Sequence, residues 1–118
     1  PTFMGNPLAS AVANASLDLF YKNNYEKKII SDEKFLKTEL EKCRDFKIVK
    51  DVRVVGLVAV VEIDGDFDLM LKLRKEFPKY GVFLRPFANC IYIMPALNIE
   101  RKELKKLTSS IETIIKNL

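Results

Sequence analysis

The segment from Val49 to Ile63 constrains this chain more than any other. It reads Val52-Arg53-Val54-Val55, then Gly56, then Leu57-Val58-Ala59-Val60-Val61-Glu62-Ile63, almost wholly aliphatic and mostly β-branched. Such residues fit a pleated, half-buried surface better than a helix. The second half is apolar on both alternating faces, which predicts a central position in a sheet rather than an edge. Asp64-Gly65-Asp66 then supplies a turn. A fold containing this segment needs further strands beside it and helices to cover it.

The flanking sequence provides them. Asn6 followed by Pro7 is a helix start, cap then first helical position, and the small-residue run Leu8 to Ser16 continues it to about Tyr21. Asn23-Asn24 marks a break. A second, amphipathic helix is predicted from Tyr25 to Cys43, with Ile29, Ile30, Leu36 and Leu40 at helical spacing. A third begins at Asp66 or the next residue and runs through Phe77. Val82 to Pro86 and Cys90 to Pro95, joined by Phe87-Ala88-Asn89, read as two short strands of a hairpin. The last helix spans Glu100 to Asn117, with Leu104, Leu107, Ile111 and Ile114 or Ile115 on one face. Counting residues 49–63 as a single strand, the order is helix, helix, strand, helix, strand, strand, helix. That order predicts an α+β domain: a few-stranded, mainly antiparallel sheet with helices on one face, plus an N-terminal helical arm.

With 118 residues, 48% of them hydrophobic and 31% charged, the chain is sized and composed for one small globular domain. The net charge of +4 arises from interspersed lysines and acids, without the clustered basic and aromatic residues a nucleic-acid surface needs. There is no histidine, so zinc sites built on histidine and Ser/His or Cys/His catalysis are excluded within the chain. Cys43 and Cys90 have no metal-binding spacing. No signal-peptide pattern or long apolar span is present, which gives the expectation of a cytoplasmic protein without membrane contact. The start at proline gives the expectation of a fragment or a processed chain.

Arg85 interrupts an apolar segment and precedes a proline that interrupts any regular ladder. A guanidinium there suits a carboxylate, gripped by two parallel hydrogen bonds. Taken alone, an ion pair with an acidic neighbour or plain solvation is the commoner fate of such an arginine. Thr2, just before a helix N-terminus, could contact a phosphate, although plain capping is commoner. Tyr92 could face a pocket or the core, with core packing the commoner outcome. Asp64, Asp66 and Asp68 alternate as in a calcium loop but lack the bidentate glutamate, so a solvated turn and helix start is expected.

Several motifs occur together and in order: Pro1-Thr2-Phe3-Met4-Gly5-Asn6-Pro7-Leu8-Ala9, Arg53-Val54-Val55-Gly56, Val60-Val61-Glu62, Gly81-Val82-Phe83-Leu84-Arg85-Pro86-Phe87 and Ile91-Tyr92-Ile93-Met94-Pro95. In this the chain resembles the class III aminotransferases along essentially its whole length, and its hairpin motifs resemble those of the diaminononanoate synthase branch of biotin biosynthesis. The resemblance implies part of a fold-type I homodimer dependent on pyridoxal 5'-phosphate, with residues 1–22 closing the large cofactor domain and residues 23–118 forming the small C-terminal domain. It implies that Pro1 and Thr2 approach the cofactor phosphate, Thr2 from the neighbouring subunit, and that Arg85 and Tyr92 bind substrate, Arg85 through the carboxylate of 8-amino-7-oxononanoate. S-adenosylmethionine is the implied amino donor. No catalytic residue is expected here, because the Schiff-base lysine precedes the matched region in the family. Ala88 stands where the family commonly has glycine, and Ala96 where a second proline often follows Met-Pro.

Two further readings compete. One is a free-standing ligand-binding or regulatory α+β module, a common use of a domain this size; the other, less favoured, is a nucleic-acid-binding module.

Overall fold

The computed structural model describes residues 4–118. Helix α1 (Pro7–Lys22) starts as expected, with the Asn6 side chain accepting a hydrogen bond from the Ala9 N–H at 3.1 Å. Asn24 at φ +52° turns the chain into α2 (Tyr25–Glu41), which tightens into a 3₁₀ turn, Lys42–Asp45. Strands β1 (Val49–Val55) and β2 (Val58–Ile63) follow, then α3 (Phe67–Glu76), a 3₁₀ turn at Phe77–Tyr80, β3 (Cys90–Ile93) and α4 (Arg101–Lys116). Asp66 caps α3 by accepting from the Leu69 N–H at 2.8 Å, and Asp64 pairs with Lys50, so the alternating aspartates are a turn and a helix start.

The sheet is antiparallel in the order β1-β2-β3, which puts β2 at the centre. Two expectations need correction. Residues 49–63 form two strands and not one, because Gly56 at φ +57° takes the first central position of a two-residue turn and Val55 pairs with Val58. Val82 to Pro86 is not a strand. The segment keeps a period-two alternation, with Val82, Leu84 and Pro86 buried and Phe83, Arg85 and Phe87 exposed, but among the described residues it has no ladder partner. The expected tight loop is present, closed by a bridge between Phe87 and Cys90.

One face of the sheet is the core. Rows Val52–Val61–Ile91 and Val54–Ala59–Ile93 turn inward, against Leu36 and Leu40 of α2, Met70 and Leu73 of α3, and Leu104 and Ile111 of α4. Ile114 and Ile115 are both buried, and Leu107 is partly so. A polar clamp ties α2 to α4: buried Asp32 pairs with Lys28 and, at 2.8 Å, with Arg101, whose guanidinium also meets Ser31 and lies over the Phe35 ring. In contrast, α1 buries none of its residues. It projects from the rest, and the radius of gyration, 16.9 Å, exceeds the roughly 13.5 Å of a compact chain this long. No helix among the described residues is long and apolar enough to cross a membrane.

The hairpin turn is the most exposed weakness of this arrangement. A Cβ at Gly56 would sit 3.3 Å from Ile29 Cγ2 in a left-handed conformation. Gly56→Ala is therefore expected to lower stability by about 1–2 kcal/mol, read as a reduced urea midpoint at unchanged slope.

Candidate functional site

Among the described residues no helix lies over the opposite face of the sheet. Strand alternation puts Arg53, Val60 and Tyr92 in one cross-strand row there, with Asp51 and Glu62 beside them. Tyr92 is half-buried on this face, whereas its neighbours Ile91 and Ile93 enter the core, so the core position taken as its commoner fate is not the one it occupies. Arg53 is neutralised where it stands, 2.8 Å from Asp51 and 2.7 Å from Glu62. Arg53 and then Arg44 hold the Asp51 carboxyl below the usual carboxylate range.

Arg85 and Tyr92 line one cleft of about 220 Å³. Its walls are otherwise apolar, formed by Phe83, Leu84, Ile93, Met94, Pro95 and Leu107. Phe83, Arg85 and Phe87 share a parity, so the same alternation that buries Val82, Leu84 and Pro86 turns all three outward.

The arginines distinguish themselves by what they bond. Arg44 pairs with Asp51 and Glu41, Arg53 with Asp51 and Glu62, and Arg101 with Asp32. Arg74 donates to the Pro86 carbonyl. Of the five arginines in the sequence, Arg85 alone makes no hydrogen bond or ion pair among the described residues. The internal ion pair considered for it from sequence is absent from the described residues. A guanidinium beside a phenol at an apolar cleft can take a carboxylate carried on an aliphatic chain.

The loop beyond Arg85 is pinned to β2. Phe87 and Cys90 exchange backbone hydrogen bonds at 3.0 and 2.9 Å, the Ile63 N–H donates to the Asn89 carbonyl at 2.9 Å, and the Asn89 side chain donates to Glu62 at 3.2 Å. Ala88 sits at φ +51°, the left-handed region in which glycine is at ease. At the other departure noted from sequence, the Ala96 carbonyl accepts from the Ile99 N–H at 3.1 Å, a bond that proline would accept equally well. Pro1 and Thr2 lie outside the described residues.

A class-III aminotransferase family model matches residues 1–115. The chain belongs to the class III aminotransferases. Adenosylmethionine-8-amino-7-oxononanoate aminotransferase of Buchnera aphidicola subsp. Schizaphis graminum is 44% identical over 117 residues, covering 99% of this chain and 27% of that protein. The protein of the same name from Geobacter sulfurreducens is 38% identical, over 97% of this chain and 27% of its own length. Among solved structures, acetylornithine aminotransferase from Elizabethkingia anophelis superposes with a TM-score of 0.88 at 27% identity, over 100% of this chain and 32% of that one. Adenosylmethionine-8-amino-7-oxononanoate aminotransferase from Methanocaldococcus jannaschii gives 0.86 at 27% identity, over 96% and 28%. This class III segment thus spans little more than a quarter of the curated relatives it matches.

Sequence reasoning singled out Arg85 and Tyr92, which line the same cleft, but not Phe83, Met94 and Leu107, which line it with them. The parity shared by Phe83 and Arg85 was the available signal for the first; the other two come together with it only through the fold. Ala88→Gly is expected to raise stability by about 0.5–1 kcal/mol, by relieving the left-handed alanine. A denaturation midpoint that falls instead would show that the loop is not strained at this position.

Proposed function

We propose that this chain acts as the C-terminal part of a full-length transaminase that converts 8-amino-7-oxononanoate to 7,8-diaminononanoate, and that Arg85 binds the substrate's carboxylate. The observation that carries the reading is the unbonded guanidinium of Arg85 at an apolar-walled cleft. A nine-carbon oxo acid has the matching chemistry, an aliphatic chain ending in a carboxylate. Tyr92 would flank that carboxylate with its phenol, and Phe83, Met94 and Leu107 would hold the methylenes away from water. The names of the Buchnera and Geobacter relatives point to the same substrate.

In this reading residues 1–22 close the large domain and residues 23–118 form the small one. Support comes from α1, which has no fully buried residue and leaves Leu8, Val12, Leu17 and Leu19 exposed, with Asp18 and Lys22 its only charged residues. Helices of that character are ordinarily covered by the remainder of a larger protein.

Pyridoxal 5'-phosphate supplies the electron sink that lets an amino group leave one carbon and join another. The start of α1 is compatible with a phosphate nearby: Asn6 is engaged with Ala9, and the Leu8 N–H makes no hydrogen bond among the described residues. Pro1 and Thr2 would extend this contact, Thr2 across a homodimer interface. The lysine that would bind the cofactor covalently is assigned to the region preceding the match. This chain's own work is recognition: Arg85 attracts and orients the oxo acid, and the cleft excludes water around its chain. S-adenosylmethionine is the proposed amino donor, and the cytoplasm the proposed compartment.

In the full-length enzyme, Arg85→Leu is expected to lower kcat/KM for the oxo acid by about 10- to 100-fold, the worth of a charge-assisted pair. The half-reaction with the amino donor alone, followed by the cofactor's visible absorbance, should stay within about twofold of wild type, the margin of a surface change. An equal loss in both half-reactions would contradict the assignment of Arg85.

A further inference from the structure

The stretch that presents Arg85 is lightly tethered. Upstream, the Val82 N–H donates to the Phe77 carbonyl at 3.3 Å; downstream, Phe87 is locked to Cys90. Between them, residues 83–86 make no backbone–backbone hydrogen bond among the described residues. Among the described residues a single hydrogen bond reaches this stretch from elsewhere, from Arg74 Nε on α3 to the Pro86 carbonyl at 2.8 Å. Arg74 makes no ion pair among the described residues and is half-buried, so its guanidinium is committed to this neutral acceptor.

Position 86 makes that bond consequential. Proline fixes its own φ near −65° and holds the residue before it in an extended conformation. With φ locked, anchoring the Pro86 carbonyl leaves the ψ of Pro86 as the one soft torsion between that anchor and the peptide that carries Arg85. The direction in which Arg85 leaves the backbone is thus set through Pro86 from α3, whose Met70 and Leu73 are fixed in the core.

We propose that Arg74 is a positioning residue for Arg85, orienting its guanidinium toward the carboxylate while touching no substrate itself. This rests on the reading of Arg85 as the carboxylate ligand. Lysine can keep a donor near the carbonyl but not the planar Nε geometry, so it should substitute in part.

The test is a double-mutant cycle in the full-length enzyme, with Arg74→Met, Arg74→Lys, Arg85→Leu and the Arg74→Met/Arg85→Leu pair. Arg74→Met should raise KM for 8-amino-7-oxononanoate about tenfold, as expected for loss of a hydrogen bond from a charged donor. The amino-donor half-reaction should hold within about twofold, the range of a change that leaves the other steps alone. Arg74→Lys should recover part of the loss, and Arg74→Met should add nothing once Arg85 is leucine. If Arg85→Leu raises KM but Arg74→Met does not, the positioning role is overturned and the role of Arg85 stands. If the two losses multiply in the pair, or both half-reactions fall together, Arg74 is a general structural support and the proposal is overturned. If Arg85→Leu itself has no effect, both assignments fail. Should Arg74→Met not accumulate as folded protein, Arg74→Gln is read by the same criteria.

Discussion

One-sided burial of the three-stranded sheet is the interaction on which everything else in this chain depends. The rows Val52–Val61–Ile91 and Val54–Ala59–Ile93 face Leu36, Leu40, Leu104 and Ile111, and removing any covering helix would open apolar surface that β-branched residues cannot hide for themselves. Because strand side chains alternate, committing Ile91 and Ile93 to the core commits Tyr92 to the other face. The open face is therefore a direct consequence of how the core is made. The cleft that holds Arg85 and Tyr92 opens at the β3 edge of the sheet, where Tyr92 of the open face meets Leu84, Ile93 and Leu107 of the covered side.

That face is chemically uneven. Around β1 the charges cancel one another, Arg53 being held by Asp51 and Glu62. Past β3 the surface turns apolar, and Arg85 is the arginine without a partner among the described residues. An unpaired guanidinium in an apolar setting is poised for an anion, because a matching carboxylate replaces lost water with two directed hydrogen bonds. Under the function proposed above, that anion is the far end of the oxo acid, and this segment's part in the reaction is to select it.

Much of this was legible in the sequence because local rules agree with the fold. Asn6-Pro7 predicts the start of α1, the Leu104–Ile115 spacing predicts α4, and the doubly apolar run predicts the central strand. The failures are equally physical. The Gly56 turn was hard to see because a two-residue hairpin turn needs only one glycine, and Gly56 stands between two aliphatic runs with no other turn residue beside it. Val82 to Pro86 has the alternation of a strand, but its ladder partner is missing and Arg74 takes the Pro86 carbonyl instead. No local signal marks Arg74 among the charged residues of α3, because its role is set by a loop twelve residues away. Arg85 stood out for a local reason, a charge before proline in an apolar segment, yet only the partners of the other four arginines show that it is the unbonded one.

The most direct measurement changes the substrate in place of the protein alone. Kinetics of the full-length enzyme would be compared for 8-amino-7-oxononanoate and its methyl ester, in wild type and in Arg85→Leu. If Arg85 grips the carboxylate, esterification lowers kcat/KM strongly in the wild type and hardly at all in the variant. An equal penalty for the ester in both proteins would contradict the account.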